Sequence, residues 1–200
     1  IEAGGKAGIF PCDSATEAYL KGRVRGDYSP VSADEGADYS RTLEYDLGEL
    51  DYMVAFPHLP SNGRVVGEVD VPIDQAFLGS CTNGRIEDLR VAAAIIKGRK
   101  VRDGVRMIVV PASTEVYQQA MDEGLLSIFA RAGAFVSGPT CAACLGGHMG
   151  VLAKGEKCVS STNRNFIGRM GHQGSEVYLA GPAVVAASAV AGRIVAPEVL

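Results

Sequence analysis

Cys141-Ala142-Ala143-Cys144 places two thiols three residues apart, behind Gly138-Pro139 and ahead of Gly146-Gly147. Two thiolates at that spacing can grip one metal centre from a tight turn, because the small residues between them let the chain fold around it. The same spacing serves a redox dithiol or half of a zinc site. A tetrahedral zinc site needs two further soft ligands, and a thioredoxin-like pair sits near the start of a helix after the first strand; neither is evident. Cys81, in Gly79-Ser80-Cys81-Thr82-Asn83-Gly84-Arg85, also follows a predicted strand. Two strand ends of one sheet can converge, so Cys81 could join the pair. Three thiolates on a cubane cluster leave one iron open, and an open iron is a Lewis acid able to take a hydroxyl or carboxylate oxygen.

The elements that must position these thiols are those of an α/β layer architecture. From about Val71, short apolar runs alternate with helical stretches. Ala76-Phe77-Leu78 reads as a buried strand. Ile86, Leu89, Ala93 and Ile96 recur at helical spacing, with Glu87 and Asp88 in the first turn and Gly98 as a stop. Met107 to Val110 reads as a strand, Ser113 as a helix cap, and Glu115 to Glu123 and Leu125 to Arg131 as helices. Ala134 to Val136 and Val177 to Leu179 are further predicted strands, and Pro182 opens a small-residue helix that Gly192 closes. Before this, alternating positions at Leu43, Tyr45 and Leu47, and the run Tyr52 to Phe56, predict two short strands. The expected architecture is a three-layer α/β/α sandwich over residues 70–200, preceded over 1–69 by the remnant of a neighbouring α/β domain. No internal repeat interrupts this pattern.

Composition narrows the function classes. Lys+Arg 19 against Asp+Glu 23 gives a formal charge of −4, so no diffuse positive field is present to hold nucleic acid or an acidic membrane. Any bound anion must be held by local groups. No run reaches the roughly 18 apolar residues of a membrane helix, and no secretory leader is evident at the start, so the expected compartment is the cytoplasm. Five cysteines, Cys12, Cys81, Cys141, Cys144 and Cys158, are odd in number and uneven in spacing, which argues for ligands or redox groups rather than a disulfide framework. Cys12 and Cys158 lie in no motif and read as small apolar fillers. His148 and His172 sit in Gly-rich stretches and read as turn or surface residues, and Arg85 and Arg90 as part of a solvated charged helix face with Glu87 and Asp88. The chain opens at Ile1 rather than Met, which suggests a fragment or a processed product.

Gly79-Ser80-Cys81-Thr82-Asn83, Cys141-Ala142-Ala143-Cys144 and Thr162-Asn163-Arg164-Asn165-Phe166-Ile167-Gly168-Arg169 resemble, in order and spacing, the three signature stretches of the aconitase superfamily. The resemblance covers nearly the whole chain. It implies that Cys81, Cys141 and Cys144 ligate a 4Fe–4S cluster whose fourth iron binds substrate, and that Arg164 and Arg169 lie near substrate and cluster. A planar guanidinium holds a carboxylate through two parallel hydrogen bonds, which suits di- and tricarboxylic substrates. Asn83 and Asn163 are implied as hydrogen-bonding partners of ligands or substrate. Glu2-Ala3-Gly4 is similar to the segment where that family keeps an acidic active-site residue, which makes Glu2 a catalytic candidate. One departure stands out: the family usually has Gly-Pro directly before the first cysteine of the pair, and here Thr140 intervenes. The implied function is a hydro-lyase that isomerises a hydroxy-di- or tricarboxylate by dehydration and rehydration.

The chain ends at Leu200 soon after its last predicted helix, without a linker to the swivelling domain of single-chain aconitases. This favours the two-subunit isopropylmalate branch, acting in leucine biosynthesis, with homoaconitate or aconitate as alternative substrates. The implied partner is a small, swivel-domain subunit in a heterodimer or heterotetramer. A contrasting reading is a non-catalytic redox or metal-binding module that uses Cys141 and Cys144 as a dithiol.

Overall fold

The computed structural model describes residues 5–200; the candidate Glu2 lies outside them. The chain divides between Leu50 and Asp51 into two units. The first contains helix α1 (Ser14–Leu20), whose Asp13 cap accepts a hydrogen bond from the Thr16 amide at 2.8 Å, and a single 3-10 turn at Leu47–Glu49. None of its residues from 5 to 50 is buried. The strand expected around Leu43 to Leu47 is not formed. Its alternating side chains find no apolar face to pack on, and Asp46 instead caps the 3-10 turn by accepting from the Gly48 amide at 2.8 Å.

The second unit is built on a seven-stranded sheet of order β2-β1-β7-β6-β3-β4-β5. Its first two strands are β1 (Met53–Ala55) and β2 (Gly63–Val65), an antiparallel pair. Because β1 also pairs antiparallel with β7 (Glu176–Ala180), residues on the amino-terminal side of the expected boundary at 69/70 belong to this sheet, and the division falls near residue 50. After β3 (Gln75–Gly79) come the single turn α2 (Ser80–Asn83) and helix α3 (Ile86–Ile96), then β4 (Arg106–Val110). Helices α4 (Thr114–Asp122) and α5 (Leu125–Ala132) lead to β5 (Phe135–Val136). The chain then crosses back to β6 (Lys157–Ser160), beside β3, and ends through β7 and α6 (Pro182–Ala191). Strands β7, β6, β3, β4 and β5 are mutually parallel.

The two-residue period of a strand divides the core. Ala76, Leu78, Met107, Val109, Val159 and Tyr178 pack with Leu89, Ile96, Phe129 and Val184 of the helices. Burying a side chain such as Leu78 or Leu89 completely contributes about 1.5–3 kcal/mol relative to leaving it exposed. Helix α6 lies against α3 and β3, and its run of small residues permits that close approach. Phe77, Ile108, Val110, Cys158 and Val177 point to the other face, where Ala142, Ala143, Leu152 and Met170 cover them. That third layer consists of the irregular connections β5–β6 and β6–β7, with a 3-10 turn at Ala142–Leu145 as its regular element. The strand order reverses between β3 and β6, and the strong right-handed preference of parallel crossovers sends connections on either side of such a reversal to opposite faces.

Helix α1 and strands β2 and β6 are elements that periodicity does not predict. Lys157-Cys158-Val159-Ser160 is short and buried toward both faces, so it lacks the alternation of a half-exposed strand. At the amino-terminal end of these strands a structural network closes the sheet. Buried Gln75 donates to the Gly150 carbonyl at 2.9 Å and accepts from Arg106 Nε at 3.2 Å, while Arg106 grips Glu156 through two bonds of 2.8 and 2.9 Å.

Candidate functional site

The carboxyl ends of β3 and β6 flank the point where strand order reverses, the position at which open α/β sheets leave a crevice for ligands. The two ends are joined by hydrogen bonds. The Gly79 amide donates to Ser161 Oγ at 2.8 Å, and the Ser161 amide to the Phe77 carbonyl at 3.0 Å. Cys81 leaves β3 in the turn α2, and Thr162-Asn163-Arg164 leaves β6 directly opposite in sequence register.

Two glycines fix the Cys81 turn. A Cβ on Gly79, at φ +116°, would stand 2.0 Å from the Val110 carbonyl oxygen; one on Gly84 would stand 2.5 Å from the same oxygen. The turn is thus pressed onto the end of β4 at both of its ends, and only hydrogen fits there. Between them Ser80 adopts a left-handed conformation at φ 67° and is buried.

The second thiol turn is anchored from the opposite face. Ala142 and Ala143 are buried against the sheet, and the Cys144 amide donates to the Cys141 carbonyl at 3.0 Å. Thr140 Oγ1 accepts from the Ala142 amide at 3.3 Å, tying the residue before Cys141 to the start of the turn. A Cβ on Gly146 would meet the Arg169 carbonyl at 3.0 Å, which places this turn against the 162–171 loop. Leu152 locks the pairing, donating to Met170 O at 2.8 Å and accepting from the His172 amide at 2.9 Å.

Cys81, Thr82, Cys144, Asn163, Arg164 and Arg169 line one cleft of about 160 Å³. The structure therefore brings together five of the residues singled out from sequence and adds Thr82. Cys141, exposed at the head of its turn, and Asn83 lie outside the lining. Among the described residues no three His, Cys, Asp or Glu side chains converge tightly enough to hold a single metal ion. A cubane cluster needs less convergence than an ion, because its ligand positions stand at separate corners. Among the described residues, three buried polar side-chain atoms lack a protein partner: Ser80 Oγ, Asn165 Oδ1 and Arg169 Nε. All three lie in the segments that follow β3 and β6. Leaving such a group unsatisfied costs about 1–3 kcal/mol; Arg169, which lines the cleft, and Ser80, next to Cys81, can donate to an anionic occupant, whereas Asn165 Oδ1 can only accept. Neither Ser80 nor Asn165 carried a sequence signal beyond its place in a signature stretch.

The other residues considered from the sequence lie outside the lining of this cleft. Cys158 is fully buried, and burial pushes its thiol up to about 12. His172 Nδ1 accepts from the Gly174 amide at 2.8 Å in a turn, and His148 is exposed. Arg85 begins α3, where its amide donates to Asp88 at 3.1 Å. Arg90 pairs with Glu123, at 2.6 Å, rather than with the acids of its own helix. A larger cleft of about 610 Å³ lies at the carboxyl ends of α3 and α5. Its cations serve helix ends, Lys100 donating to Arg131 O at 2.6 Å and Arg99 to Ile95 O at 2.8 Å.

The fold and the thiol-lined cleft agree with a match of residues 66–192 to the aconitase (aconitate hydratase) family, and the chain belongs to that family. It is similar to proteins named 3-isopropylmalate dehydratase large subunit. That of Moorella thermoacetica is 58% identical over 199 residues, covering 99% of this chain and 47% of the relative. That of Clostridium kluyveri is 59% identical over 199 residues, with the same shares, and that of Acetivibrio thermocellus 59% identical over 201 residues, covering 100% of this chain and 48% of the relative. The chain spans about half the length of the curated relatives it matches. No helix among the described residues is long and apolar enough to cross a membrane.

Proposed function

We propose that this chain is the cluster-carrying part of the large subunit of a hydro-lyase that interconverts 2- and 3-isopropylmalate by loss and return of water, a step of leucine biosynthesis. The observation that carries the reading is the cleft itself, where Cys81 and Cys144 from two distant loops meet Arg164 and Arg169. Cys81, Cys141 and Cys144 would hold a 4Fe–4S cluster, which when bound supplies a Lewis-acid iron able to polarise a hydroxyl group. Arg164 and Arg169 would anchor the substrate carboxylates through charge-assisted hydrogen bonds, and Thr82 and Asn163 would orient the bound acid beside them. In a net acidic chain these two guanidinium groups are the local positive charge such a substrate requires.

Glu2 of this chain is assigned a part in catalysis, while the base that takes the carbon-bound proton and the groups that select the substrate side chain are assigned to a small partner subunit and to the rest of the large subunit. This fits a chain that spans half of its relatives' length. The isolated chain is therefore expected to be inactive. The test is anaerobic reconstitution with iron and sulfide, followed by visible absorption and iron analysis. A broad visible band with about four irons per chain, lost in Cys81→Ala, Cys141→Ala and Cys144→Ala, is the expected result. A colourless protein that forms a reversible Cys141–Cys144 disulfide would overturn it in favour of the dithiol module.

A further inference from the structure

Ser80 is held where its residue type is hardest to explain by folding alone. Its φ of 67° is a left-handed conformation that residues other than glycine, asparagine and aspartate seldom adopt. A side chain there costs roughly 1–2 kcal/mol, and glycine would carry no such cost. The side chain is nevertheless present, is only 2% exposed, and its hydroxyl bonds to no protein atom. The hydroxyls at the end of β6 and in the Cys81 turn have other partners: Ser161 Oγ accepts from Gly79, Ser160 and Thr162 pair with each other at 2.9 Å, and Thr82 Oγ1 lies 3.7 Å from Cys81 Sγ. Strain combined with an unsatisfied buried donor, one residue before Cys81, marks a position kept for a ligand rather than for packing.

We infer that Ser80 is a positioning residue whose hydroxyl donates a hydrogen bond to an inorganic sulfide of the group held through Cys81, the Cys81 sulfur itself lying 3.7 Å from Thr82 Oγ1. The inference rests on the cluster reading above. A hydrogen bond to a cluster sulfur disperses negative charge and favours the reduced form, raising the reduction potential. It also makes the sulfur a poorer target for protons and oxidants, which slows loss of the group.

Two variants separate the hydroxyl from the backbone. Ser80→Ala removes the hydroxyl and keeps the strain; Ser80→Gly removes both. Each is reconstituted anaerobically, and the reduction potential, the electron paramagnetic resonance spectrum of the reduced form and the half-life of the visible band in air are measured. Both variants are expected to retain the visible band, to have a more negative potential than the native chain, and to lose the band several-fold faster. Potentials and half-lives equal to native in both variants would overturn the inference and leave the cluster reading intact. A shift in Ser80→Gly alone would also overturn it, since the backbone would then be responsible. If the native chain takes up no cluster, the cluster reading fails and this inference falls with it.

Discussion

The amide of Gly79 donates to Ser161 Oγ at 2.8 Å, tying the end of β3 to the end of β6 at the point where strand order reverses. This buried bond sets the distance between the Cys81 turn and the Thr162–Arg169 loop. Ser161→Ala would leave the Gly79 amide buried and unpaired. The expected cost is about 1–3 kcal/mol, read as a lower urea midpoint with an unchanged slope, together with faster loss of a reconstituted cluster. An unchanged midpoint would show that the two strand ends are held by other means.

The glycines at either end of the Cys81 turn predict a steep steric response. Gly84→Ala brings a Cβ within 2.5 Å of Val110 O and 2.6 Å of Ser80 O, both backbone atoms. Overpacking of this kind costs typically about 1–3 kcal/mol. Gly79→Ala, with 2.0 Å to Val110 O and a positive φ, should cost more. Thermal unfolding would rank native above Gly84→Ala above Gly79→Ala; Gly67→Ala, where a Cβ meets nothing within 4 Å, is the control.

Cys158 predicts a reactivity pattern and an alkaline limit. Cys81 and Cys141 are exposed, whereas Cys158 is buried with its thiol pushed from 9.0 to about 12 by desolvation. Alkylation of the native, cluster-free chain should modify Cys81 and Cys141 and spare Cys158 until unfolding, as mass spectrometry would show. Because the folded value is the higher one, this group's contribution to stability is complete below pH 9 and is lost as pH rises from about 9 toward 12, when the unfolded chain ionises first. The slope approaches 1.4 kcal/mol per pH unit for one group. Cys158→Ala should flatten it; an identical slope in the variant would assign the alkaline limit elsewhere, with Tyr178, raised chiefly by burial, as the next group.

Under the proposed function, Arg164 and Arg169 predict a binding defect in the chain assembled with the rest of the large subunit and the proposed small subunit. Lysine keeps the charge but not the planar fork that matches a carboxylate. Arg169→Lys and Arg164→Lys should each lower kcat/KM about 10- to 100-fold, the loss of one charge-assisted hydrogen bond of about 1.5–3 kcal/mol. The visible band should be unchanged. Native kinetics in both variants would remove these residues from the substrate site.

The sequence by itself determined the strands and helices whose periodicity is strong: β3, α3, β4, α4, α5, β7 and α6 all lie within a residue or two of their expected spans. It also singled out Cys81, Cys141 and Cys144 by thiol type and spacing, and Asn83, Asn163, Arg164 and Arg169 through the resemblance of their stretches to a family's signatures. The tertiary structure alone decided how they meet. Strand β6 was invisible to periodicity because a central strand is apolar toward both faces, yet it returns beside β3 and carries the arginine loop to the Cys81 turn. The compact unit that carries the sheet begins near residue 50 because β1 pairs with β7, a contact between segments more than a hundred residues apart that no local pattern encodes. The strained, unsatisfied hydroxyl of Ser80 is likewise a property of position. Side-chain type is written in the sequence, but strain and hydrogen-bond satisfaction exist only once the surrounding atoms are in place.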